Sequence, residues 1–270
     1  LFYSIKPRTP FFIFIHLRFK LFYMRKVYFL VLGLLFISGV KAQIVNIPDT
    51  NFKAKLISLA VDKNNNGEIE VNEAIQITDL IVSNSSISSL QGISSFINLQ
   101  YLNCKNNQLT SLDLSSLTNL QTLNCSNNQI NSLNINGLLK LNFLNFSFNG
   151  IPLLDLSSLT TVKYLYCEGN KYTSLNVSNL INLRELYCNN NLITSLNINN
   201  LTNLEILFCQ ENKLTSLDVN GLFNLKSIVC GSNQISSLDL KDVVGLYELF
   251  CENNLLTSID ASKLTRIDEL

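Results

Sequence analysis

The sequence has no Trp, one His and one Met, and only 15% of its residues are charged. The His is His16 and the Met is Met24, so from Gln43 onward both types are missing too. That absence removes imidazole catalysis and His-based metal sites from the bulk of the chain. There is no G-x-S-x-G, no phosphate-binding loop, and no carboxylate pair with an evident pocket, and an enzyme is the weakest reading. No C-x-x-C pair occurs, which speaks against redox and zinc motifs. Acidic residues are missing from residues 1–42, which hold seven bases: Lys6, Arg8, Arg18, Lys20, Arg25, Lys26 and Lys41. The remainder carries 13 basic against 20 acidic residues, a net of −7. That balance disfavours nucleic acid and anionic membranes as partners.

Met24 is followed by RKVYFLVLGLLFISGVKAQ. Two bases, an apolar run from Val27 to Ile37, and Val40-Lys41-Ala42 have the layout of a Sec signal peptide over 24–42. The alternative is a membrane span broken by Arg18, Lys20, Arg25 and Lys26. On the first reading residues 1–23 are upstream translation, the mature chain starts at Gln43 without a membrane span, and the protein is secreted or displayed at the cell surface. No Cys follows the expected cut, so a lipid anchor is not expected.

Seven cysteines are present, at 104, 125, 167, 188, 209, 230 and 251, each 21 residues from the next or 42 where one is skipped. The skipped place holds Phe146. Period 21 organises the rest of the chain as well. One column reads Leu102, Leu123, Leu144, Leu165, Leu186, Leu207, Ile228 and Leu249. Three places past each cysteine stands an Asn: 107, 128, 149, 170, 191, 212, 233 and 254. Further apolar columns start at Leu109, Leu112, Leu114, Leu117 and Leu120. A degenerate first unit runs through Leu80, Val82, Ile87, Leu90, Ile93, Phe96 and Leu99, one residue longer.

One such unit cannot bury seven apolar positions alone, but stacked units cover one another. Alternation across Leu102-Asn103-Cys104 puts Leu and Cys in the core and Asn103 on the open face. A buried Asn in every unit must find backbone partners in its own and the neighbouring turn. Stacked strands lie about 4.8 Å apart with parallel side chains, whereas a disulfide requires Cβ atoms about 3.8 Å apart and facing each other. The cysteines are therefore expected to be free, buried thiols.

The pattern L-x-C-x-x-N-x-L-x-x-L-x-L-x-x-L-x-x-L resembles the leucine-rich-repeat family over residues 80–270, and its short unit looks most like the internalin-type bacterial subclass. The resemblance implies an α/β repeat fold: a right-handed solenoid with a concave parallel β-sheet and turns or short 3₁₀ segments behind it. Residues 43–79 do not repeat and read as a small helical N-terminal cap. IPDTNFKAKLISLA predicts a helix after Pro48, capped by Asp49 or Thr50, with Phe52, Leu56 and Leu59 on one face.

The next segment, DKNNNGEIEVNE (62–73), matches D-x-[DN]-x-[DN]-G-x5-E and looks like an EF-hand calcium loop. Carried over, Asp62, Asn64 and Asn66 supply side-chain oxygens, Glu68 a carbonyl, Glu70 a direct or water-borne contact, and Glu73 a bidentate carboxylate, with Gly67 at the sharp turn. The site would be weak, of roughly 10⁻⁴–10⁻³ M, and structural. The alternative is a loop of this shape that holds no metal.

On the open face, the column at 103 changes from amide (Asn103, Asn124, Asn145) to Tyr166, Tyr187, Phe208, Val229 and Phe250. Phe143, Tyr164 and Ile206 stand diagonally beside it. An apolar stripe of this kind suits a protein or polysaccharide partner. It would otherwise only stiffen the sheet or be covered by further chain. Leu270 takes the first leucine place of another unit, so the array is expected to be truncated there, after about nine repeats. Two functions follow: an extracellular recognition module, or a structural spacer within a longer secreted or surface protein.

Overall fold

The computed structural model describes residues 42–268. The expected upstream segment 1–23, residues 24–41 of the signal peptide expected over 24–42, and Leu270 lie outside them. Gln43–Leu270 form one compact unit. Among the described residues, no helix is long and apolar enough to cross a membrane.

Nine short parallel strands build the main sheet: β1 (Asp79–Ile81), β2 (Tyr101–Asn103), β4 (Thr122–Asn124), β6 (Phe143–Asn145), β7 (Tyr164–Tyr166), β9 (Glu185–Tyr187), β11 (Ile206–Phe208), β12 (Ser227–Val229) and β13 (Glu248–Phe250). Each pairs with the next unit in unshifted register, as in Leu102↔Leu123 and Tyr166↔Tyr187. The degenerate unit joins at the expected place, through Leu80↔Leu102. The period of 21 thus becomes one strand per turn of a solenoid. Every central residue of the eight full strands, from Leu102 to Leu249, has no exposed surface. Full burial of a Leu is worth about 1.5–3 kcal/mol, and a single unit could not achieve it without its neighbours.

All seven cysteines are free; six are buried, and Cys251 is half-buried. Phe146 fills the cysteine place with no exposed surface. Its ring packs 6.1 Å from that of Tyr172, which stands in the Leu109 column of the next unit. Burial holds the thiols neutral, pushing Cys104 and Cys230 up to about 12 and Cys125, Cys188 and Cys209 well above the ordinary value.

The asparagines form the ladder that the spacing predicts. Asn191 Nδ2 donates to Cys188 O of its own turn (3.0 Å) and to Cys167 O of the preceding one (3.1 Å), while its Oδ1 accepts from Tyr172 N (3.2 Å). The same arrangement recurs from Asn107 to Asn254.

Behind the main sheet the chain adds more strand than expected. Besides one 3₁₀ turn (Ile93–Ser95), two strand pairs form: β3 (Ser111–Asp113) with β5 (Ser132–Asn134), and β8 (Leu175–Asn176) with β10 (Leu196–Asn197). The unit between them carries Pro152, at the place where Asn131 N donates to Thr110 O (3.0 Å) and Thr194 N to Thr173 O (3.3 Å). Proline has no N–H to give, which accounts for the break.

The cap contains α1 (Thr50–Ser58) and the one-turn α2 (Val71–Ala74). Asp49 is the N-cap, accepting from Phe52 N at 2.9 Å. Phe52 and Leu56 are buried as expected, but Leu59 is 42% exposed. Leu59 is the C-cap, where the chain leaves the helix and its face no longer points at the core. The other carboxylate oxygen of Asp49 accepts from Ser88 N, Ser88 Oγ and Ser89 N (2.8, 2.6 and 3.0 Å), tying the cap to the first repeat.

Candidate functional site

The outward positions of the main sheet carry the candidate site. Because register never slips, residues 21 apart stand side by side on adjacent strands. Tyr166 stacks on Tyr187 with ring centroids 4.7 Å apart, and Tyr187 meets Phe208 at 4.6 Å. Phe143 closes the other end at 5.3 Å from Tyr166 and 6.3 Å from Tyr164. Val229 and Phe250 continue the column on β12 and β13. All of these side chains are half-buried: each covers part of its neighbour and leaves an edge or face to solvent. Ile206 is set apart from Tyr164, because Glu185 stands between them in the ladder.

Phe148 lies above this face in the loop column that otherwise holds mainly Asn. It takes a left-handed backbone (φ 52°), a conformation that costs a bulky residue about 1–2 kcal/mol. Its ring rests on Gly169, where a Cβ would come within 2.4 Å of it.

Period 21 also places carboxylates beside the rings, and the stripe read as apolar is in fact flanked by acid. Tyr166 OH donates to Glu185 Oε2 at 2.6 Å. Ser227 Oγ donates to the Glu248 carboxylate. The carboxylate of Glu252 folds over Gly231, within 2.4 Å of where a Cβ would sit. Glu168 is partly sheltered, with its Oε2 buried and without a donor, as is Oε1 of Gln210 in the same column. Burial raises the Glu168 pKa from its ordinary value, against a hydrogen bond from Ser147. Burial and then the Glu185 carboxylate raise that of Tyr166. These glutamates were readable from their columns, but only once outward and inward positions had been separated.

In the cap loop, the oxygens carried over from the EF-hand pattern are close together but engaged internally. Asp62 accepts from Asn66 N (3.2 Å) and Gly67 N (2.9 Å), the hydrogen bonds that fold the loop. Glu73 accepts from Lys63 N (2.7 Å) and Glu70 N (3.0 Å). Asn66 Nδ2 donates to Glu70 Oε1 at 2.6 Å, and Asn64 Nδ2 to both oxygens of Glu70. Glu68 pairs with Lys53 at 2.6 Å. Asp62, Glu70 and Glu73 are buried, a donor set of the hard-oxygen chemistry that calcium takes. Among the described residues, however, no three His, Cys, Asp or Glu converge in a metal-holding group.

Residues 97–140 match the family described as Leucine Rich repeats (2 copies). The functional domain of InlJ from Listeria monocytogenes, which includes a cysteine ladder, is 36% identical, with a TM-score of 0.79 over 85% of this chain. The chain folds as a leucine-rich-repeat solenoid. It spans 52% of the length of that InlJ domain. Internalin C2 from Listeria monocytogenes has the same fold at 24% identity (TM-score 0.63, 85% of this chain and 96% of that one). The repeat protein in a TLR13–ssRNA13 complex is 25% identical (TM-score 0.57), with 73% of this chain matching 33% of TLR13. No curated protein matches the sequence. The chain is thus a leucine-rich-repeat solenoid similar in fold to internalins.

Proposed function

We propose that this solenoid is an extracellular recognition module that binds a protein or polysaccharide partner across the concave face of its main sheet. The observation that carries the reading is the unbroken run of half-buried rings Phe143–Tyr166–Tyr187–Phe208, extended by Val229 and Phe250. Stacked aromatics bring large contact area at low conformational cost. The role is binding without catalysis. The signal-peptide pattern over residues 24–42 supports a secreted or surface location for it. The glutamates around the rings oppose a polyphosphate ligand, so nucleic acid is not the partner proposed.

The cap serves this role by sealing the first unit, and weak calcium binding at Asp62, Asn64, Asn66, Glu68, Glu70 and Glu73 would order it. The uniform register over nine strands also supports a second reading, a spacer that holds another domain away from the envelope. Capture from envelope and polysaccharide mixtures separates the two. The chain is compared with a variant carrying Tyr166→Ser, Tyr187→Ser, Phe208→Ser and Phe250→Ser. Recognition predicts a species captured by the chain and lost by the equally folded variant, whereas a spacer predicts no difference.

A further inference from the structure

The charge around the rings restricts the partner further. In the aromatic half, the outward positions of β7, β9, β11, β12 and β13, with the residue two places past each strand's end, include Glu168, Glu185, Glu248 and Glu252 and no Lys or Arg. Lys163, Arg184 and Lys226 share the column just before the strands, and Arg184 and Lys226 are paired there with Glu205. The acids are not spent on bases either. Glu185 and Glu248 hold only hydroxyl donors, and Glu168 Oε2 has none, so reorienting that oxygen towards a ligand loses no hydrogen bond.

Carboxylates beside a row of aromatic rings form an environment that a guanidinium fits. Its flat apolar surface packs against the exposed parts of the rings, and its fork of N–H donors meets the carboxylate. A neutral sugar would use the rings and leave the charges idle, and an acidic polysaccharide would be repelled. The acids are spread over five adjacent strands, about 19 Å at ~4.8 Å per strand. That span exceeds one small cation and matches about six residues of extended peptide at ~3.3 Å each.

We propose that the occupant of the aromatic face is a polypeptide segment that presents arginine side chains to Tyr166, Tyr187 and Phe208 and to the glutamates beside them. This rests on the recognition reading above.

The test is calorimetric titration of the full chain with an alternating Arg-Ser decapeptide, its Gln-Ser counterpart, a glucosamine hexamer and a chitin hexamer. Two variants, each checked by melting, are E168Q/E185Q/E248Q/E252Q and Tyr187→Ser/Phe208→Ser. The expected result is that the arginine peptide binds, the glutamine peptide does not, and each variant weakens binding by about tenfold or more, the loss of roughly one strong charged contact. Equal binding of the arginine peptide by the glutamine-substituted variant overturns the inference. So does tighter binding of either sugar, or no binding by any peptide. If the sugar alone binds and the ring variant loses it, the face is still a recognition face and only the arginine assignment fails. If no probe responds to either variant and capture is also insensitive to the rings, the recognition reading fails with it.

Discussion

Tyr166 and Tyr187 are direct partners on adjacent parallel strands, and their rings stack 4.7 Å apart with planes 20° from parallel. The separation is the inter-strand spacing itself. A sequence period of 21 therefore becomes a continuous aromatic surface without any side chain leaving the direction its strand imposes. The same device writes the Leu, Cys and Asn columns into the core and ladder. One periodic signal builds the core on one face and the aromatic column on the other.

The asparagine ladder predicts a large, local stability cost. Asn191→Ala removes the amide that bonds Cys167 O, Cys188 O and Asn189 O and the oxygen that accepts Tyr172 N. Each buried group left without a partner costs about 1–3 kcal/mol, so a loss of ~3 kcal/mol or more is expected in denaturant unfolding. Asn200→Ala, on the exposed back of the same unit, should cost less than about 0.5 kcal/mol.

Asp49 joins two elements, so its loss should exceed that of a plain helix cap. Asp49→Ala uncaps α1 and frees Ser88 and Ser89, and a cost at or above the upper end of the usual ~0.5–2 kcal/mol is expected. Partial burial raises its pKa, but the hydrogen bonds from Ser88, Phe52 and Ser89 outweigh that and leave it below the ordinary aspartate value. A depressed folded pKa gives stability that is present above the unfolded value of about 3.9 and lost as pH falls through the folded one. Melting curves between neutral and strongly acid pH should therefore converge for Asp49→Asn and the parent chain at the acid end.

The buried thiols set the opposite, alkaline limit. Burial raises Cys104 and Cys230 to about 12 in the folded chain, against about 8.5 when unfolded. This contribution is complete below the unfolded pKa and shrinks as pH rises above it, by up to about 1.4 kcal/mol per pH unit for each thiol. Denaturation midpoints should fall from about pH 8.5, before tyrosine ionisation begins. In the native state a thiol reagent should find Cys251 first. Rapid labelling of Cys104 or Cys188 at neutral pH would contradict the packing.

The cap loop yields a calcium prediction. Calcium should raise the melting temperature of the chain, and Glu73→Ala should abolish that rise. Because Glu73 also accepts from Lys63 N and Glu70 N, the variant starts from a lower melting temperature. The informative quantity is the calcium-dependent increment, and an equal increment in both chains would refute calcium binding through Glu73.

The sequence made the core plain because Leu102, Cys104 and Asn107 repeat with a fixed period, and each repeat faces the same environment as the last. The second strands at Leu112, Leu133, Leu175 and Leu196 were not legible. Their S-L-x runs are too short to distinguish strand from turn, and only the neighbouring unit supplies the pairing. Pro152 shows the reverse case, a single residue with an effect on two neighbouring pairs. The link from Asp49 to Ser88 and Ser89 joins residues 39 and 40 apart and follows from no local pattern. The aromatic column was visible in the spacing. Its acidic border, at Glu168, Glu185, Glu248 and Glu252, emerged only when register placed those columns beside the rings.

The most direct measurement of the central claim is hydroxyl-radical footprinting of the chain with and without the partner captured from the envelope mixture. Recognition by the aromatic face predicts protection of Tyr166, Tyr187 and Phe208, with Tyr101 on the amide half of the sheet and the exposed Tyr247 unchanged. Protection of Tyr247 or Phe223, with Tyr187 and Phe208 oxidised as in the free chain, would contradict it.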